Sequence, residues 1–129
     1  MRLLLDTHTF FWWVSDASEL SITAREAMER PESTIFVSAV SAIELAIKVR
    51  IGKWPDAEWI IPELSDLILR EGFRPLPVFV EHALLAGSHS SGHRDPFDRL
   101  LAAQAEIDGL VLISNDRAFQ TFPGLNVLW

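Results

Sequence analysis

Cysteine is absent from the 129 residues. That excludes a disulfide-stapled scaffold, thiol catalysis and thiolate zinc sites, and it is compatible with a cytoplasmic location. Positive charge is scarce. Eleven Lys and Arg face 18 Asp and Glu, for a net charge of −7. Generic, charge-driven adhesion to nucleic acid or an anionic membrane is therefore disfavoured. A nucleic-acid enzyme stays open if its carboxylates cluster and metal ions neutralise them. Long apolar runs are missing as well. Asp6 ends the run Met1-Arg2-Leu3-Leu4-Leu5 too early for a signal peptide. The richest apolar stretch, Ile35 to Val49, carries Ser38, Ser41, Glu44 and Lys48, so no transmembrane helix is expected there. Repeats, low-complexity tracts and linkers are also lacking, and residues 1–129 are read as one domain.

What is present suits a packed core. Hydrophobic residues make up 49% and charged residues 22%, too apolar a balance for a disordered chain. Arg2–Leu5, Thr34–Val37 and Leu110–Ile113 read as buried strands, and Asn126–Trp129 as a last one. Phe73–Val78 carries two prolines and reads as a short or edge strand. Helices are expected over Thr7–Val14, Ser21–Arg30, Val40–Ile51, Asp56–Glu71 around Pro62 (which alternatively starts a second helix), Val80–Ala86 and Asp95–Glu106, with a loop over Gly87–Arg94. Strands alternating with helices predict an α/β fold with a mainly parallel sheet, and a ligand site outside the carboxyl ends of its strands.

That rule singles out the acids. Asp6 ends the first strand, Asp116 follows the strand at 110–113, Glu44 lies early in a helix after a strand, and Asp95 and Asp98 open another helix. Carboxylates gathered on one face repel one another, and a hard divalent cation relieves the repulsion. Such an ion also stabilises charge on a phosphodiester transition state. Each acid has a plainer role too. Asp95 before Pro96 suits an N-cap, Asp98 suits a helix dipole, Ser41-x-x-Glu44 fits a capping box, and Asn115-Asp116 fits a turn. Asp6 alone is expected to have no capping role.

Four segments then fall into a known order: Leu4-Leu5-Asp6-Thr7-His8, Ser38 to Leu45, His93 to Ala105, and Ser114 to Phe119. With them the chain resembles the PIN-domain ribonucleases, in particular the VapC toxins of toxin–antitoxin pairs. The resemblance implies a three-layer α/β/α fold and a Mg²⁺- or Mn²⁺-dependent endoribonuclease with the acidic core Asp6, Glu44, Asp98 and Asp116. Asp6 and Asp98 would bind the principal metal. Asp116 would complete that site or a second one. Glu44 would position water or act as its general base. Asp95, Thr7 and Ser114 take secondary roles, the two hydroxyls orienting carboxylates or phosphate. An RNA substrate, a small antitoxin and a homodimer are implied partners. One departure is Asn115, where many relatives carry Arg. The alternative is a catalytically silent PIN-like module that only binds a partner, which would be expected to have lost acids.

Other features are weighed beside this. His89 and His93 sit in a Ser/Gly loop and read as solvated, not as a metal pair. His8 reads equally as a supporting residue of the site or as buried. Lys48, Arg50 and Lys53 form a basic cluster, usually a solvated face, that is expected to guide RNA. Of Phe10, Phe11, Trp12 and Trp13, the core is expected to claim two, and the others, with Trp54 and Trp59, to present a surface to a partner. Base stacking on these rings is the less favoured use.

Overall fold

Each expected strand forms, and all five lie parallel in one sheet. The structure, a computed structural model, describes residues 1–129. The strands are β1 (Arg2–Leu5), β2 (Thr34–Ser38), β3 (Arg74–Leu76), β4 (Val111–Ile113) and β5 (Val127–Leu128), in the order β3-β2-β1-β4-β5. The helices are α1 (Thr7–Val14), α2 (Ile22–Glu29), α3 (Ala39–Arg50), α4 (Leu64–Arg70), α5 (Val80–Ser88) and α6 (Pro96–Asp108).

The sheet splits its side chains by parity. Leu3 and Leu5 face one core, with Ile35, Val37 and Ile113, against α1, α2 and α4. Leu4 faces the other, with Leu112, against Leu101, Ala102 and Ala105 of α6. The sheet is thus sandwiched between helices, the three-layer α/β/α arrangement. Leu3, Leu4 and Leu5 are all fully buried, each burial stabilising the fold by about 1.5–3 kcal/mol. This is why so short an apolar run makes a central strand. Pro75 sits on β3 at the sheet edge, where a missing N–H is tolerated.

Local signals set most helix ends. Ser21 caps α2 by accepting from the Ala24 N–H at 3.0 Å. Gly109, at φ 64°, closes α6 in a conformation that disfavours side chains. The segment expected to be helical around Pro62 divides just after it, close to the second helix start the proline offered. A 3-10 helix covers Pro55–Glu63 and α4 follows, because proline offers no N–H to an α-helical ladder.

Chain order places the candidate site. The chain runs outward from β1 to β2 and β3, then returns to the far side of β1 with β4. Strand order therefore reverses between β1 and β4, and a crevice opens there beyond the carboxyl ends. Asp6 follows the last residue of β1 and Ser114 follows the last residue of β4.

Candidate active site

Asp6 is buried at this reversal point. Its Oδ2 accepts the Ser114 hydroxyl at 2.7 Å and its Oδ1 accepts the Thr7 N–H at 2.7 Å. Asp6 is thus the N-cap of α1, the role the sequence reading denied it. The capping hydrogen bond favours the ionised form but does not prevail. Burial pushes the carboxyl up to about 7, the Ser114 and Thr7 hydrogen bonds opposing and the charges of Asp98 and Glu44 adding to the rise. Ser114 also accepts the Asp116 N–H at 3.0 Å, so one hydroxyl joins the first and last acids. Thr7 serves Asp6 only through its backbone. Its hydroxyl is buried and pairs with Ser41 at 2.9 Å, tying α1 to α3, and so does not orient a carboxylate as expected.

Glu44 is buried on α3. The expected Ser41–Glu44 capping box does not form, because α3 starts earlier. Its N-cap is Ser38, which accepts from the Val40 N–H at 3.0 Å. Glu44 Oε2 accepts from Lys48 Nζ at 2.8 Å, while buried Oε1 has no partner at all. An orphaned buried carboxylate oxygen is costly and marks a group aimed at something else. Lys48 is consequently not part of a solvated basic face. Burial works against its ammonium, but the Glu44 hydrogen bond and the charges of Glu44, Asp95 and Asp98 outweigh that and raise its pKa.

Asp98 lies in the first turn of α6. Burial pushes it up to about 6, opposed by His93 and reinforced by Asp95 and Glu44. Asp95 accepts the Phe97 and Asp98 N–H groups at 2.8 and 3.1 Å, so its plainer role as N-cap is real, and its charge reaches Asp98. Asp116 is exposed and caps the following 3-10 turn through the Ala118 N–H at 2.9 Å. It shares one open depression with Asp6, His8, Trp12, Asn115 and Arg117. The fold thus brings Asp6, Glu44 and Asp98 within reach of one another's charge and sets Asp116 at the rim beside Asp6.

His89 and His93 depart from expectation, and His82 is a third histidine held by a carboxylate. His93 Nε2 meets Asp98 Oδ2 at 2.7 Å, His89 Nε2 meets Glu106 Oε1 at 3.0 Å, and buried His82 Nε2 meets Asp108 Oδ2 at 3.0 Å. His89 and His93 are therefore partly buried carboxylate partners rather than solvated loop residues. The cause is Arg99, a residue the sequence reading passed over. Its Nε donates to the Ala86 carbonyl at 2.6 Å, Nη1 to those of Ser91 and His93 at 2.8 and 2.7 Å, and Nη2 to that of His89 at 2.7 Å. One guanidinium thereby folds the 87–94 loop over α6 and delivers His93 to Asp98. Arg99→Ala should cost about 2–3 kcal/mol and lower Tm by roughly 6–15 °C. Amide exchange should accelerate chiefly over residues 87–94, and uniform acceleration would refute the clasp.

The aromatic run also differs from expectation. Phe10 is fully buried, while Phe11, Trp12 and Trp13 all lean half-buried on the same core. Exposed His8 stacks on Trp54 with ring centroids 4.3 Å apart. Burial and the Lys48 charge lower the His8 pKa, against the pull of Glu44 and Asp116. Trp59 stays nearly half exposed, at 47%.

No three His, Asp or Glu side chains form a ready-made metal cage. The donor set instead suits Mg²⁺ or Mn²⁺, which take a few carboxylate oxygens and fill the remaining positions with water and phosphate. The free Oε1 of Glu44, and the burial and neighbouring acid charge that raise Asp6 and Asp98, are what such a cation would relieve.

Comparison with known proteins agrees with this architecture. The PIN domain profile matches residues 3–125. The chain is 31% identical over 126 residues to Ribonuclease VapC22 of Mycobacterium tuberculosis, covering 92% of this chain and 90% of that protein. Its fold resembles VapBC2 of Rickettsia felis bound to a promoter DNA fragment, with TM-score 0.73, 17% identity and coverage of 100% and 99% of the two chains. It also resembles VapBC-1 of nontypeable Haemophilus influenzae, with TM-score 0.70, 20% identity and coverage of 99% and 97%. The chain belongs to the PIN-domain family, among its VapC-type members.

Proposed function

We propose that this chain is the toxin of a toxin–antitoxin pair, a Mg²⁺- or Mn²⁺-dependent endoribonuclease acting at Asp6, Glu44, Asp98 and Asp116. The name of Ribonuclease VapC22 supports RNA cleavage, and the likeness to VapBC complexes supports a small antitoxin as partner. A homodimer is part of the proposal. No helix is long and apolar enough to cross a membrane.

The observation that carries the reading is a buried, partnerless Glu44 Oε1 close to two carboxyls, Asp6 and Asp98, that burial and neighbouring acid charge hold above their ordinary pKa. A bound divalent ion would neutralise these carboxylates and stabilise charge on the phosphodiester. Asp6 and Asp98 would hold it, with Asp116 completing that set or a second. Ser114 fixes the Asp6 carboxylate and His93 fixes that of Asp98. Lys48 anchors one Glu44 oxygen, which would leave Oε1 to position the attacking water or take its proton as the P–O bond to the leaving ribose oxygen breaks and that oxygen is protonated from solvent.

Purified protein with Mn²⁺ should fragment total cellular RNA at discrete sites. EDTA or Asp98→Asn should stop it, and cognate antitoxin should inhibit it. Cleavage that continued unchanged in EDTA and in Asp98→Asn would sink the assignment. No cleavage by a folded, metal-loaded wild type would favour the silent partner-binding module.

A further inference from the structure

The proposed chemistry uses the carboxylates of the depression that holds Asp6 and Asp116, but not its rings. The cavity measures about 580 Å³, within the range of ligand sites. Its lining combines the rings of His8 and Trp12 with Asp6, Asn115, Asp116 and Arg117. Other α1 aromatics are already occupied. Phe10 is buried, and Trp13 lies against Phe73 while its Nε1 donates to Glu71 at 3.0 Å. His8 and Trp12 are arranged differently. His8 stands exposed between the fully buried Thr7 and the buried Thr9, stacked on Trp54 at an interplanar angle of 20°. Trp12 lies 5.5 Å from His8 and 5.7 Å from Trp129, centroid to centroid. Phe11 meets Trp54 edge-on at 5.1 Å, and Lys48 Nζ sits 5.7 Å from the Trp54 centroid. The rings buttress one another beside the acids.

The geometry points to a stacking subsite, formed by His8 and Trp12, for an unpaired nucleobase next to the scissile phosphate. This rests on the ribonuclease reading above. Three observations select an RNA base over an apolar segment of a protein. Apart from the rings, the lining is polar (Asp6, Asn115, Asp116 and Arg117), whereas an amphipathic helix would need further apolar contact in the groove. The rings share their cavity with Asp6, so a phosphodiester over Asp6 brings a neighbouring base to them. The net charge of −7 offers RNA little long-range attraction, so affinity has to come from local contacts. Base faces inside a duplex are already stacked, so the site selects single-stranded or looped RNA. Stacking tolerates any base, and sequence preference would arise from Asn115 and Arg117 at the base edge.

The test uses a fluorescent mixed-sequence single-stranded oligoribonucleotide and the same strand made abasic, both in Ca²⁺ to suppress cleavage. His8→Ala and Trp12→Leu should weaken binding of the intact strand by roughly five- to hundredfold. Binding of the abasic strand should be unchanged, and Trp12→Phe should restore affinity. Thermal melts with and without Mg²⁺ separate misfolding from lost stacking, and exposed His8 offers a variant that spares the core. Variants that bind intact RNA like the wild type, or lose both strands equally, overturn the subsite. In the former case the rings serve a protein partner. Wild-type cleavage of total RNA, assayed in parallel with Mn²⁺, tells whether the ribonuclease reading survives that result. Absence of both cleavage and RNA binding in the wild type overturns the two together.

Discussion

Glu44→Gln should reduce RNA cleavage by roughly 10²–10⁴-fold, the range for removal of a general base, while the protein still folds. The side-chain carbonyl of glutamine can still accept from Lys48 Nζ, so the link along α3 survives. Its amide nitrogen then occupies the place of Oε1, turning a partnerless acceptor into a donor that cannot take a proton. Single-turnover cleavage in saturating Mn²⁺ is the measurement, with a thermal melt as the folding control. If Gln at this position cleaves within tenfold of wild type, Glu44 is not the base and its burial has another cause. Lys48→Met gives the converse. It removes the anchor but keeps the carboxylate, and a smaller loss with an altered pH profile is expected.

The second large effect concerns stability. The Asp6 carboxyl is pushed up to about 7 in the fold, from an ordinary value of 3.8. A raised carboxyl pKa means that the folded state holds its proton after the unfolded chain has lost it. Below about pH 4 both states are protonated and Asp6 contributes nothing. Between about pH 4 and 7 the unfolded chain binds fewer protons, so metal-free stability falls as pH rises. The Asp6 share approaches roughly 4 kcal/mol above pH 7. Asp98, pushed up to about 6, acts in the same direction with a smaller weight because it is more exposed to water. The metal-free protein should therefore melt lower at pH 8 than at pH 5. Mg²⁺ should restore more stability at pH 8, where it does not compete with protons. Asp6→Asn should be more stable than wild type at pH 8 without metal, should lose most of the pH slope, and should no longer respond to Mg²⁺. Calorimetry at three pH values decides the matter. A variant less stable than wild type by the same amount at every pH would show Asp6 to be a structural cap only.

Both expectations describe one compromise. The buried acids are tolerated because the two apolar cores, one on each face of the sheet, hold the backbone of β1 and α6 in place. Functional sites commonly break a local rule of stability and are offset elsewhere in the fold. Here the broken rules are the partnerless Glu44 oxygen and the buried Asp6 carboxyl.

Much of this was legible along the chain. The three-leucine run before Asp6, the strand before Ser114, and Asp95-Pro96 opening α6 each announce a local structure through short-range physics. An N-cap and a fixed proline φ need no distant partner, and a continuous apolar run marks a strand whose two faces must be covered by others. The parallel architecture follows from alternating strands and helices, and with it the side of the sheet on which Asp6, Glu44, Asp98 and Asp116 emerge. The segment order also carried the family likeness.

Other features required the third dimension. The pairing of His93 with Asp98 depends on Arg99 reaching four carbonyls of a folded-back loop, and a Ser/Gly-rich composition carries no trace of that. The allotment of Lys48 to Glu44, of the Thr7 hydroxyl to Ser41, and of Ser114 to Asp6 depends on side-chain directions set by packing between α1, α3 and β4. Residue type restricts what each group can donate or accept, but only tertiary contact decides which partner it meets. The chain alone therefore determined the strands and the parallel layered sheet, and nominated the acids. Tertiary structure decided which acid oxygens are satisfied, which carboxyls are forced to share charge, and which aromatic rings remain open beside them.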